Sequence, residues 1–232
     1  QIAGWVAAMH DVTYLKELDQ MKTDFINAVS HDLRSPLSGI LIATHLVSQT
    51  GELNAHQTEL MDTIEQRVGA KTELIDDLLD VARIEAGIDM ELDPCVLTPL
   101  INQVVSEFEE QIQDKQLRVD VEANTNLPPV WGSARRLRQV LANLIGNAIK
   151  YTPEGRQITI VATHNRDEIV VSVHDEGIGV PLADQPYIFD KFYRVARPEM
   201  TGIKGTGLGL AITRSIVERL EGRIWIQSEL NK

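Results

Sequence analysis

The chain has 232 residues, 43% of them hydrophobic, and its 22 basic residues against 34 acidic ones give a formal net charge of −12. That balance excludes nucleic-acid binding through bulk charge, and the single cysteine, Cys95, excludes an internal disulfide and suits a reducing compartment. No run nears the roughly 18 apolar residues of a membrane-spanning helix, so no membrane contact is expected of this stretch.

The length suits two modest domains, since domains usually run to about 100 to 200 residues. A chain opening on Gln1 reads as part of something longer, expected in the cytoplasm whether or not its parent is membrane-anchored. Residues 1 to 12 predict a short strand that ends abruptly. From Tyr14 a helical run keeps Leu15, Leu18, Met21, Phe25, Ala28 and Val29 at roughly heptad spacing, as in a coiled-coil linker. Residues 1–22 are therefore read as the tail of another domain plus a linker.

In FINAVSHDLRSPLSGI, residues 25 to 40, apolar positions at Phe25, Ile26, Val29, Leu33, Leu37 and Ile40 have helical spacing that leaves His31 off the apolar face. Asp32 can orient the imidazole or take its proton, leaving a ring nitrogen as a nucleophilic lone pair. Pro36 removes a backbone donor at the next turn and should bend the helix. Taken alone, the same pattern also fits an ordinary surface histidine. After a break at residues 49 to 52, a second helix is predicted from about Asn54 to Glu85, with Gly87 as its stop. Residues 23–86 thus form a helical hairpin that cannot cover both apolar stripes alone, and two copies would complete a four-helix bundle. A homodimer is expected.

From residue 91 to 232 the pattern changes to α+β. Helices are predicted near Thr98 to Asp114, from Ser133 to Tyr151 and from Leu208 to Leu220, with strands at Leu117 to Glu122, Gln157 to Thr163, Glu168 to His174 and Arg223 to Gln227. Strands 157 and 168 flank Asn165-Arg166-Asp167 and should pair antiparallel. The expectation is an α/β sandwich with a mostly antiparallel sheet.

Three constellations in this half carry chemistry. On the helix 135 to 152, Gln139, Asn143 and Asn147 recur every fourth residue, with Lys150 and Tyr151 a turn beyond. Amide oxygens suit Mg²⁺, which leans on phosphate oxygens for its remaining ligands, and Lys150 can neutralise phosphate; a merely polar helix face is the competing reading. In His174-Asp175-Glu176-Gly177-Ile178-Gly179, Asp175 is a lone acceptor for an exocyclic amine such as that of adenine. Gly177 and Gly179 allow backbone to approach a ligand, or simply end a strand. Finally Gly205, Gly207, Leu208 and Gly209 lead into a helix whose N-terminus attracts phosphate, though simple flexibility would also explain the glycines. It is neither a Walker A loop nor a Rossmann fingerprint. Between these loops, IFDKFYR sets Lys191 and Arg194 beside Phe189 and Phe192, as in a lid with aromatic anchors and cations for phosphate.

Together, in this order, the motifs resemble a sensor histidine kinase of two-component signalling over nearly the whole chain. SHDLRSPL resembles the phosphoacceptor box, NLIGNAIKYTPEG the N box, DEGIGVP the G1 box, IFDKFYR the F box and GTGLGL the G2 box. The resemblance implies ATP and Mg²⁺ as cofactors, a homodimer, and a response-regulator receiver domain as partner. It makes His31 the nucleophile, Asp32 its base, Asn147 the principal Mg²⁺ ligand with Asn143 in support, and Lys150, Lys191 and Arg194 phosphate contacts. Tyr151 would be an adenine neighbour and Asp175 the adenine anchor, and residues before the linker look like the close of a PAS-type sensor domain. Ser35 stands where the family more often has the threonine or asparagine that holds water for dephosphorylating the partner, and Glu221 replaces a usual glycine. The family's last glycine-containing turn and strand are missing after Lys232, which would expose a sheet edge. A related ATP hydrolase of the gyrase and chaperone group would need a glutamate where Asn143 stands, and a neutral amide is no base. A silent dimeric scaffold is the third possibility.

Overall fold

The computed structural model describes residues 13–51, 53–88, 91–124, 127–166, 168–195 and 205–230, with side chains from Gln20 onward. The strand expected within residues 1 to 12, and the PAS-type tail, lie outside them. The chain divides into two compact units, Gln1–Ile88 and Asp89–Lys232.

The first unit is two long helices, α1 (Thr13–Gln49) and α2 (Ala55–Ala86). α1 runs unbroken from the linker segment through Pro36. α2 starts in a capping box: the Asn54 side chain accepts from the Gln57 backbone N–H while the Gln57 side chain accepts from that of Asn54, a device that stabilises by about 1 kcal/mol. Gly87 closes the helix at φ 73°, a left-handed conformation that suits glycine. Ile26, Val68, Leu79, Val81 and Ile84 are buried. Phe25, Ile42, Leu46, Leu60 and Ile64 remain exposed, so the hairpin leaves much of its apolar surface uncovered.

The second unit runs β1 (Asp93–Cys95), α3 (Leu97–Glu107), α4 (Glu109–Asp114), β2 (Arg118–Ala123), β3 (Val130–Gly132), α5 (Ala134–Tyr151), β4 (Gln157–Asn165), β5 (Glu168–Asp175) and α6 (Gly209–Arg219). One sheet has the order β2-β4-β5, and β1 pairs with β3 in a separate two-stranded ribbon. β4 and β5 form the expected hairpin, Asn165 opposite Glu168, with Arg166 at φ 56° to make the tight turn. β2 joins β4 in parallel, because the chain returns to the sheet through the crossover helix α5. Alternate residues Ile158, Ile160 and Ala162 of β4 are buried against Ile101, Val104, Ile145 and Ile149 of α3 and α5. Each fully buried isoleucine contributes about 1.5 to 3 kcal/mol.

Two local expectations are corrected, and the position of Glu221 is explained. The helix expected near Thr98 to Asp114 breaks at Phe108, whose ring seats against Gly146 of α5, where a Cβ would come within 3.2 Å of it. Glu221 takes φ 60° where α6 ends, so a side chain here occupies a conformation that glycine adopts without strain. The strand expected at Arg223 to Gln227 joins neither sheet. Side chains hold that segment instead: Arg223 pairs with Glu168 at 2.7 Å, Val180 N–H donates to Ser228 Oγ at 2.8 Å, and Gln185 Nε2 bridges the Val180 and Ser228 carbonyls.

Candidate functional site

On α1, His31 and Asp32 stand with side chains 81% and 82% exposed, Nδ1 of the imidazole 3.4 Å from the carboxylate. That loose contact favours the proton on Nδ1 and leaves the Nε2 lone pair directed away. Ser35 and Pro36 are exposed on the following turn. Arg34 Nε donates to Asp76 at 2.7 Å and Arg83 Nη2 donates to Asn27 at 2.9 Å, tying α1 to α2 on both sides of the histidine. The nucleophile candidate is therefore held through its helix and not through its ring.

In the second unit, the motifs read separately along the chain converge around the carbonyl end of α5. Lys150 Nζ lies 5.3 Å from the centre of the Tyr151 ring. A Cβ on Gly205 would come within 2.8 Å of that same nitrogen, so the glycine-rich loop passes directly by Lys150. Tyr151 is half-buried; burial raises its phenol's pKa, while the positive charge of Arg194 acts in the opposite direction. Arg194 Nη1 also donates to the Gly205 carbonyl at 2.9 Å. Phe192, at φ 66°, donates its N–H to the Gly207 carbonyl at 3.0 Å, and a Cβ on Gly207 would come within 2.9 Å of the Phe192 backbone. Leu208, fully buried, and Gly209 then open α6.

Asp175 ends β5, with Oδ1 accepting from the Gly177 N–H at 3.0 Å. Asp175 is exposed as a residue, but partial desolvation of its carboxyl raises its pKa from the usual aspartate value, against the Gly177 hydrogen bond and His174, which lower it. The adjacent glycines serve the protein's own backbone. A Cβ on Gly177 would lie 3.0 Å from the Tyr151 carbonyl, and one on Gly179, at φ 67°, would collide with the carbonyl of Glu229. Close packing of loop on helix and of loop on C-terminal segment is what these glycines permit.

The amide stripe divides by role. Asn143 Nδ2 donates to the Gly209 carbonyl at 2.9 Å and to Thr213 Oγ1 at 3.2 Å, lashing α5 to the start of α6. Asn147, half-buried one turn on, carries none of those bonds. Gln139 accepts from the buried Arg136 at 2.9 Å. Among the described residues no group of three His, Cys, Asp or Glu side chains could hold a metal. An amide oxygen from Asn147 fits a Mg²⁺ ion that draws its other ligands from phosphate and water. Of the lid, Lys191 is exposed, and Phe192 is 54% exposed and so no anchor; the buried residue there is Ile188, and Tyr193 Oη donates to Asp184 at 2.5 Å.

Sequence reasoning missed Lys115 and Gln185, which contact backbone far away in the chain, and Thr213, whose hydroxyl accepts from the distant Asn143 amide. Their side chains read as ordinary surface groups, and no local spacing marks them.

Residues 21–87 match the His Kinase A (phospho-acceptor) domain family, and residues 132–232 match the histidine kinase-, DNA gyrase B- and HSP90-like ATPase family. Drug sensory protein A of Synechocystis is 33% identical over 241 aligned residues, covering 99% of this chain and 36% of that protein. The signal transduction histidine-protein kinase BarA of Escherichia coli is 33% identical over 94% of this chain and 24% of its own length. Among solved structures, full-length ShkA in complex with AMPPNP superposes with a TM-score of 0.74 at 28% identity, covering 89% of this chain and 43% of that one. The class defined by fold and site is a phosphoacceptor hairpin joined to an ATP-binding unit. The chain belongs to the sensor histidine kinases of two-component signalling. It spans well under half the length of these relatives.

Proposed function

We propose that this chain phosphorylates His31 from ATP and passes the phosphoryl group to an aspartate on the receiver domain of a response regulator. The observation that carries the reading is the joint presence of a solvent-facing His31–Asp32 pair and a cradle where α5, the Asp175 loop and the Gly205–Gly209 loop meet. Asp175 accepts the adenine amine, Tyr151 lies along the base, and Lys150, Lys191 and Arg194 face the phosphates. Gly205, Gly207, Leu208 and Gly209 supply the loop and helix start around them, with Gly177 and Gly179 shaping the Asp175 turn. Bound Mg²⁺, held by Asn147, would neutralise charge on the phosphates. Asn143 keeps its amide nitrogen on α6, which suits a supporting role and gives no base for activating water. That supports transfer over hydrolysis.

Phosphoryl transfer depends on positioning and charge neutralisation. Nε2 of His31 attacks the γ-phosphorus in line, the N–P bond forms as the bond to the β,γ-bridging oxygen breaks, and ADP leaves. The Nδ1 proton is shared with or taken by Asp32. Residues 85 to 95 serve as the hinge between the 23–86 hairpin and the 91–232 ATP-binding domain. The exposed apolar residues of the hairpin support a homodimer in which two hairpins form a four-helix bundle. Among the described residues no helix is long and apolar enough to cross a membrane, and the reading puts this stretch in the cytoplasm. Ser35 leaves phosphatase action on the partner to be measured separately.

The test is autophosphorylation with γ-labelled ATP and Mg²⁺, comparing the chain with His31→Gln and Asn147→Asp. Acid-labile, base-stable label on the unsubstituted chain alone supports the reading. Label on His31→Gln, or label surviving acid, defeats it.

A further inference from the structure

The last four carbonyls of a helix have no partner within it, and at the end of α5 every one is accounted for. Ala148 accepts from Thr152 N–H at 3.0 Å and Tyr151 from Ile178 N–H at 3.3 Å. The other two, Ile149 and Lys150, accept from the ammonium of Lys115 at 2.7 and 3.1 Å, and the Thr152 carbonyl just beyond accepts from it at 2.8 Å. Three backbone acceptors thus converge on one side chain that lies 34 to 37 residues away in sequence.

Lys115 is itself firmly placed. It follows α4, whose end is closed by hydrogen bonds from Gln116 N–H to Gln113 and from Leu117 N–H to Ile112, with Gln116 at φ 51°. Its own carbonyl accepts from Gly155 N–H at 2.9 Å, so it holds the turn after α5 from the other side as well. The carbonyl end of a helix carries about half a negative charge. Here that end bears Lys150 and Tyr151, and an ammonium seated on it offsets the charge at the turn meant to receive a triphosphate.

We propose that Lys115 is a positioning residue for the nucleotide, holding the last turn of α5 so that Lys150 stays in place for ATP. The proposal rests on the assignment of Lys150 to ATP made above. Lys115 touches neither nucleotide nor metal in this scheme and acts through Lys150. Without it the Ile149 and Lys150 carbonyls turn to water, the last turn loosens and ATP affinity falls, while the chemistry of transfer is unaffected.

The experiment measures autophosphorylation of the whole chain at varied ATP for Lys115→Met, Lys150→Met and the double variant, with thermal melts on each. In Lys115→Met the KM for ATP rises about tenfold, as expected for losing a charge-assisted bond, and kcat stays within about twofold. In the double variant the two KM effects combine to much less than their product, because both act through one side chain. Should Lys115→Met melt below the assay temperature, Lys115→Gln, which removes the charge but keeps a donor, carries the same comparison. A folded variant with unchanged KM, a loss confined to kcat, or fully multiplicative effects in the double variant overturns the proposal. If Lys150→Met alone leaves KM unchanged, the assignment of Lys150 fails and the proposal falls with it; if Lys150→Met raises KM and Lys115→Met does not, only the positioning role fails.

Discussion

On α1, His31 and Asp32 stand mostly in water, 3.4 Å apart and held only through their helix. In the second unit, the Tyr151 and Gly207 carbonyls accept from the distant backbone of Ile178 and Phe192, Asp175 accepts from Gly177 N–H and the Gly205 carbonyl accepts from Arg194. The glycines record the same contrast. Gly39 and Gly69, on the hairpin helices, have nothing within 4 Å of an added Cβ, whereas Gly177, Gly179 and Gly207 would meet backbone at once. A nucleophile that serves both a phosphoryl donor and a phosphoryl acceptor has to be reachable from outside. A nucleotide pocket gains from rigid walls that need no reordering when ligand binds.

The largest effect that would break this contrast lies at Gly179. Gly179→Ala combines an unfavourable left-handed backbone with a collision against Glu229 and should destabilise the second unit by roughly 2 to 4 kcal/mol, read by denaturant unfolding. Unchanged stability would mean that the loop and the C-terminal segment are not locked together.

Next comes the uncovered hairpin surface. Ile64→Glu with Leu46→Glu should weaken self-association by at least about a hundredfold, since each buried side chain of this size contributes about 1.5 to 3 kcal/mol. Light scattering over a concentration series checks it, and a monomeric mass for the unsubstituted chain removes the dimer altogether.

Gly69→Ala sharpens the comparison from the opposite side. With open space around it in the interior of α2, alanine should stabilise the hairpin by about 0.5 to 1 kcal/mol, seen as a higher melting temperature with labelling of His31 unchanged.

The smallest effect concerns Asp175. Its pKa is raised in the folded state, so the stability linked to its protonated form is fully present below the unfolded carboxylate pKa and is lost as pH rises through the folded value. Asp175→Asn should therefore melt slightly higher than the parent near neutral pH without nucleotide. The difference should shrink as pH falls below the ordinary carboxylate range, while ATP binding is weakened at every pH where the parent binds. A lower melting temperature for the variant near neutral pH would show that the carboxylate stabilises the empty site.

Much of this protein is legible from local order. Apolar spacing marks both long helices, Gly87 announces the end of α2, and the turn residues Asn165-Arg166-Asp167 give the β4–β5 hairpin. These features depend on residues within a turn or two of one another, and the same holds for the motifs naming His31, Asn147, Lys150 and Asp175 as candidates. Only the tertiary structure decided that Asn143 ties α5 to α6, that Gly179 makes room for Glu229, that Phe108 breaks a helix to reach Gly146, and that residues 223 to 227 run outside the sheet. It also decided that Lys115, one charge among many along the chain, ends on three carbonyls of α5. Local spacing specifies which face a residue occupies, but the partner across that face comes from distant chain, and its identity is set only when the core closes.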